Sequence, residues 1–169
     1  MRNSTLSLIL ILLGVNLSSF GQNINTYQSA FDAAYNQYPS VPKGLLEAIS
    51  FTQTRFQNID HPEHSCIGLP EVQGVMGLVA DGQSYFNNNL ETIANLSGIP
   101  LSQFGTPSTD VMAYAAAYSH LMTLNNVAAT DFVGHEFLLR SLSEIPDDGN
   151  PVNSYALSAH TFQIFQFMR

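Results

Sequence analysis

Apolar residues recur at three- and four-residue spacing in six successive segments of this sequence, most of them punctuated by proline or glycine. That spacing puts the apolar side chains on one face of an α-helix, so the chain has to fold as helices packed face to face. Tyr27, Ala30, Phe31, Ala34, Tyr35 and Tyr38 form the first set, stopped at Pro39. Pro42 suits the first position of a second helix, whose face carries Leu45, Leu46, Ile49, Gln53 and Phe56. A third is expected over about Ser84 to Ser97, with Phe86, Leu90, Ile93 and Ala94 inward and Gly98 as its stop. The fourth, capped by Ser108 or Thr109 after Pro107, runs through Val111, Met112, Ala115, Tyr118, Leu121 and Met122. Its small residues Ala113, Ala115, Ala116 and Ala117 permit close helix contact. Thr130 can cap a fifth through Leu142, and a sixth from Pro151 carries Tyr155, Ala159, Phe162 and Phe165 on its face. Nothing alternates at a spacing of two for long enough to make a strand, and residues 57–83, broken at Pro62, Gly68-Leu69-Pro70 and Gly74 to Gly77, read as a long loop with a tight turn. The expected fold class is all-α, with about six helices.

The start of the chain belongs to a different category. A short basic opening at Arg2, an aliphatic run from Leu6 to Val15 and small residues at Ser19 and Gly21 are the three parts of a secretory signal peptide. The apolar run is about half of the roughly 20 residues a membrane span needs. Residues 1–21 are therefore read as a signal peptide and 22–169 as one helical domain, exported to the periplasm or outside the cell, with no membrane attachment after cleavage. Thirteen acidic residues against five Lys and Arg leave almost nothing with which to neutralise phosphates, so nucleic acid is excluded as a partner. An exported chain with one cysteine, Cys66, can form no intrachain disulfide and no multi-thiolate zinc site. The aromatic run from Phe162 to Arg169, without a polar tail, reads as a chain that continues into a further segment; the alternative is a terminal helix docked on the core.

Three segments in order resemble the motifs of soluble-type lytic transglycosylases, a lysozyme-like family. Leu45-Leu46-Glu47-Ala48-Ile49-Ser50-Phe51-Thr52-Gln53-Thr54-Arg55-Phe56 is similar to the helix that ends in the catalytic Glu-Ser. Gly74-Val75-Met76-Gly77-Leu78 is similar to the second motif, and Thr106 to Tyr118, a proline turn leading into a helix of small residues, to the third. The resemblance implies a lysozyme-like helical domain and a glycan cleft lined by Gln53, Thr54, Gly74, Met76, Gly77, Tyr114 and Tyr118. At the position of the family's catalytic Glu stands Gln53, followed by Thr54 in place of Ser. A Glu there works because burial raises its pKa, so that it can protonate the leaving glycosidic oxygen; an amide has no such proton to give. The cleft is thus expected to bind glycan without cleaving it. The alternative is a glycosidase, lytic transglycosylase or muramidase, with a relocated carboxylate, Glu63 or Glu71; Glu47, most of two helical turns before Gln53, is expected to face solvent.

Nearly the whole chain after residue 21 also resembles the N-terminal region of secreted N-acetylmuramoyl-L-alanine amidases of Bacteroidetes-type bacteria. The segments that carry this are Tyr38 to Gly44, Ser65 to Pro70, Gly74 to Leu78, Asn88-Asn89-Leu90 and Leu142-Ser143-Glu144-Ile145-Pro146-Asp147-Asp148. The implied parent protein is a hydrolase whose zinc ligands lie in a downstream amidase domain, so the chain itself is expected to hold no cofactor and to be inactive alone. Its implied partner is the glycan strand of peptidoglycan. His61, Glu63, His64 and Cys66 are zinc-ligating types within six residues, but Pro62 and a loop setting leave their convergence to chance; they are read as solvated loop side chains, with Cys66 buried or paired with a missing segment. His120, His135 and His160 are expected at half-buried helical positions. Asn87-Asn88-Asn89 and the Tyr114 and Tyr118 pair are residue types that line sugar sites, although tyrosines at helical spacing also fill cores.

Overall fold

A computed structural model describes residues 22–60, 68–81 and 85–169. The signal-peptide segment and the His61 to Cys66 cluster, with Glu63, lie outside the described residues. Among the latter are six α-helices: α1 Gln22–Gln37, α2 Leu45–Thr54, α3 Asn89–Ser97, α4 Pro107–Leu124, α5 Phe132–Leu142 and α6 Pro151–Phe167. One short antiparallel ribbon joins β1, Val72–Gln73, to β2, Leu78–Val79, with Val72 opposite Val79 and Gln73 opposite Leu78. The all-α reading therefore holds, with a correction in the segment read as loop. Two-residue strands are too short to show alternation, and the ribbon exists because Gly74 and Gly77 take positive φ and fold the intervening residues into a turn.

Helix α4 is the axis of the core. Val111, Ala113, Tyr114, Ala115, Ala116, Ala117, Tyr118, Leu121 and Met122 are all buried, so the helix is covered on nearly every side. A helix this enclosed needs small side chains where neighbours cross closely, which is the role of its alanines; α1 and α3 pack against it. From α1 come Ala30, Phe31, Ala34 and Tyr35, from α3 Leu90 and Ile93, and from α5 Leu138, Leu139 and Leu142.

Helix ends follow local hydrogen bonding. Asn88 caps α3 by accepting from the Glu91 amide, so that helix begins five residues later than its apolar spacing predicts. Thr106, one residue before Pro107, caps α4 in place of Ser108 or Thr109, and Asp131 rather than Thr130 caps α5. Gly44 in the left-handed region precedes α2, leaving Pro42 in the turn before it.

Helix α6 is turned differently from its apolar pattern. Tyr155 and Phe162 are 77% and 66% exposed, while Asn153, Leu157, Thr161 and Ile164 are buried. The inward stripe carries two polar side chains besides Leu157 and Ile164, and both are satisfied there: Asn153 donates to the Asp148 carboxylate, and Thr161 to the Leu157 carbonyl of its own helix. At its far end Phe167 stacks on Phe51 of α2, ring centroids 4.9 Å apart, and meets Phe56 at 6.1 Å.

Candidate functional site

The end of α2 and the ribbon turn are locked together by two hydroxyls. Ser50 Oγ donates to the Val75 carbonyl at 3.0 Å, and Thr54 Oγ1 lies 2.8 Å from the same oxygen and 2.9 Å from the Ser50 carbonyl. Both side chains are buried, so these bonds satisfy a carbonyl that water does not reach. The chain leaves α2 through Arg55 and Phe56, both in the left-handed region, and Gly74 N–H donates to the Ile59 carbonyl at 2.9 Å. Gly77 then approaches Gln53 so closely that a Cβ on it would stand 2.5 Å from the Gln53 Cβ. The first two resembled motifs are thus in direct contact, joined at Gln53 and Gly77.

Gln53 is half-buried, and its amide is engaged: Nε2 donates to Glu144 Oε2 at 2.9 Å. Glu144 is only 6% exposed and receives a further, longer bond from the Ser143 hydroxyl at 3.4 Å. Its charge reaches two neighbours. Burial pushes the Tyr114 phenol above its ordinary range, and the Glu144 carboxylate adds to the rise. His160 is shifted the other way by burial, below its ordinary value, with the Glu144 charge opposing the shift. The Leu142 to Ile145 segment is pinned by asparagines. Asn87 donates from its side chain to the Ser143 and Ile145 carbonyls, its backbone N–H donates to the Glu144 carbonyl, and Asn89 donates to the Leu142 carbonyl while accepting from Val79 N–H.

The expected sugar-lining residues divide under this geometry. Gln53, Thr54, Gly74 and Gly77 come together at the α2–turn junction. Met76, Tyr114 and Tyr118 are 3% exposed or less and show no face to a ligand in this structure. Tyr118 has a partner inside the core, its hydroxyl 2.8 Å from His135 Nδ1, with the two rings stacked. Asn87 and Asn89 are committed to backbone carbonyls, although the three asparagines do line one side of a polar cavity of about 450 Å³ with Thr92, Asn95 and Ser141. Glu71 is half-buried beside β1. Glu47, expected in solvent, is half-buried and accepts from the Tyr35 hydroxyl. Of the three scattered histidines, His135 is buried, His160 half-buried and His120 exposed. Among the described residues no group of three His, Cys, Asp or Glu is placed to hold a metal ion, and no helix is long and apolar enough to cross a membrane.

Two carboxylates that sequence reasoning did not select flank the ribbon. One is Glu144; its signal was a lone acid between Leu142 and Ile145 in a segment that ends at Pro146. The other is Asp110, in the first turn of α4, where an acid ordinarily complements the helix dipole from the surface. Here it is 1% exposed, its Oδ1 accepts from Gly105 N–H at 3.0 Å, and its Oδ2 lies over Gly74, where a Cβ would come within 2.3 Å. Burial pushes its carboxyl above the usual carboxylate range, with the Gly105 bond acting against the rise. Set beside family models, curated proteins and solved structures, the chain matches none.

Proposed function

We propose that this chain is an exported module of lysozyme-like design that holds peptidoglycan glycan strands without cleaving them, and that it forms the N-terminal part of an N-acetylmuramoyl-L-alanine amidase. The observation that supports this most is the junction of Gln53 with the Gly74 to Gly77 turn: the residue at the resembled acid position lies against the second resembled motif, and it is an amide bonded to a carboxylate. Such a side chain can position a glycan by hydrogen bonding but cannot deliver a proton to a leaving oxygen. Zinc, in this reading, belongs to the amidase domain, where it would polarise the lactyl amide and activate water. The test is co-sedimentation of the purified 22–169 chain with intact peptidoglycan sacculi, with reducing ends, anhydro sugars and free stem peptides measured in the supernatant. Binding with no release is expected; chelator-sensitive release of stem peptides would overturn the assignment of zinc chemistry to another domain.

A competing reading, an active glycosidase whose acid is Glu144 in place of the expected Glu63 or Glu71, draws its support from the 2.9 Å between Glu144 and the Gln53 amide. Release of reducing ends by the wild-type chain, lost in Glu144→Gln, would decide for that reading.

A further inference from the structure

Helices α5 and α6 lie side by side and antiparallel: Phe132 meets Phe165 with ring centroids 6.2 Å apart, and Arg140 Nη2 donates to Ser158 Oγ at 3.1 Å. Their inward faces belong to the core, yet their outward faces are apolar too. Phe132, Val133, Phe137, Val152, Tyr155 and Phe162 are 54% to 79% exposed. A wholly exposed aromatic side chain offers about 150–250 Å², so the four rings alone leave roughly 500 Å² open. With the two valines the face passes the about 300–600 Å² that the largest apolar patch of a monomer ordinarily reaches, and it comes close to the about 800 Å² that each partner buries in a standard interface. The spacing on α6 points to another helix as the occupant. Val152, Tyr155, Ala159 and Phe162 follow one another at three, four and three residues, the interval of a seam between paired helices, and Ala159 is the small residue at which two helices can cross closely. Charge points to a second copy. Glu136 and Arg140 are the only Asp, Glu, Lys or Arg on either helix, and they pair with each other at 3.1 Å. On a chain of net charge −8 this face is close to neutral, so two copies can meet here without the repulsion that opposes contact elsewhere on their surfaces. Anionic lipid would find a single basic side chain, already paired, where helices that seek membrane surfaces are rich in Lys and Arg.

We infer that the chain forms a two-fold dimer through this face, the α6 helices of the two copies crossing at Ala159 with Tyr155 and Phe162 packed on either side and Val133 and Phe137 at the flanks. A two-fold contact uses the same patch on both copies, so it asks only that the patch fit itself, and an apolar face with one internally paired acid and base meets that condition. The stripe that apolar spacing marks for burial on α6 is then buried after all, against a second copy instead of the core. The inference does not depend on the glycan-holding reading. Where that reading holds, pairing puts two Gln53 junctions in one assembly, which favours a polymer over a short oligosaccharide.

The experiment is sedimentation velocity of the 22–169 chain over a series from about 1 to 200 μM, which brackets the micromolar affinities at the weak end of interfaces of this size. A dimer is expected. Tyr155→Glu and Phe162→Glu, both at exposed positions that the monomer fold does not depend on, each weaken it about tenfold or more by placing a charge in the seam. Leu101→Glu, at an exposed apolar position on the short turn Leu101–Gln103 before α4, leaves the dimer unchanged. Ala159→Cys, in a chain that also carries Cys66→Ser, gives a disulfide-linked dimer under mild oxidation, a readout that stands even where a glutamate variant does not fold. A monomer throughout the series overturns the inference and leaves the glycan reading untouched. So does a dimer that both glutamate variants leave intact, one that Leu101→Glu disrupts as strongly, or one that Ala159→Cys does not link.

Discussion

The two buried carboxylates beside the ribbon are held in opposite ways. Glu144 sits in a crowd of side-chain partners: the Gln53 amide, the Ser143 hydroxyl and the nearby His160 imidazole, on a backbone pinned by Asn87. Asp110 has one backbone donor and a cavity in front of it. A buried acid surrounded by donors works as architecture, because its removal strands each of them. A buried acid with a single backbone donor ties fewer elements together, so its removal strands only that one group. The difference separates a polar cluster that holds α2, the ribbon and the Leu142 to Ile145 segment in one arrangement from a neighbouring acid that lines a cavity.

Five substitutions test that division, and the largest effect is expected at the turn. Gly77→Ala forces a non-glycine residue to a φ of 64° and sets a methyl 2.5 Å from the Gln53 Cβ, an atom fixed to the α2 backbone. A loss of about 3 kcal/mol in urea unfolding is expected. Gly74→Ala meets the tip of Asp110 rather than a Cβ, so it costs less than Gly77→Ala; the reverse order would mean that the Asp110 carboxylate is as rigidly held as the helix itself.

Glu144→Ala leaves the Gln53 amide without its acceptor and is expected to cost about 2 kcal/mol. It also has a spectroscopic sign. The Glu144 charge favours protonated His160, so its removal lets burial act unopposed and the His160 pKa falls further in an NMR titration. No movement of the His160 resonance midpoint would detach it from the cluster. Because the folded His160 pKa lies below that of the unfolded chain, its contribution to stability is present above the ordinary value of 6.5 and is lost as pH falls through the folded pKa.

Gln53→Glu replaces a bonded pair by two carboxylates on the same spot. Like charges there resist ionising together, so the variant is expected to lose on the order of 1–2 kcal/mol at neutral pH and to recover as pH falls and the pair takes up one proton. Paired unfolding curves at pH 5 and 8 read this, and release of reducing ends from sacculi above the wild-type level reads whether the restored acid acts on glycan. A variant whose stability relative to wild type does not depend on pH would show that the Gln53–Glu144 bond is absent in solution.

Asp110→Asn carries the smallest effect and the opposite sign. The folded Asp110 pKa is raised above its ordinary 3.8, so the ionised group costs stability at neutral pH and that cost disappears below the ordinary value. The asparagine variant is expected to melt slightly higher than wild type at pH 7, with the gain shrinking as pH falls toward 4. A variant that melts lower at pH 7 would place Asp110 with Glu144 as an architectural acid.

Much of the helical frame could be read from spacing and punctuation alone. The six segments reappear because each has an apolar face that must be buried, and α4 has apolar or small residues on every face, which made its central position foreseeable from Ala113 to Ala117. The contact of Gln53 with the second motif was also within reach, since its helical phase turns it toward the core. The orientation of α6 was not. Tyr155 and Phe162 are as apolar as Leu157 and Ile164, and no local rule ranks two competing stripes on one helix. Caps slipped by one to five residues because Asn88, Thr106 and Asp131 compete with neighbours of the same chemistry.

For the site, the sequence by itself determined that an amide stands where a resembled acid would, and that three motif-like segments follow in order. Only the tertiary structure decided which carboxylates lie near them. Glu144 is 91 residues from Gln53 and reaches it because Asn87 and Asn89, on a third segment, bind the backbone of Leu142 to Ile145. Asp110 becomes a buried acid only when Gly74 closes over it from the ribbon. Periodicity records which face of an element avoids water, a property of neighbours in sequence; the burial of a charge and the donors that meet it depend on elements far apart in the chain, and no local pattern encodes them.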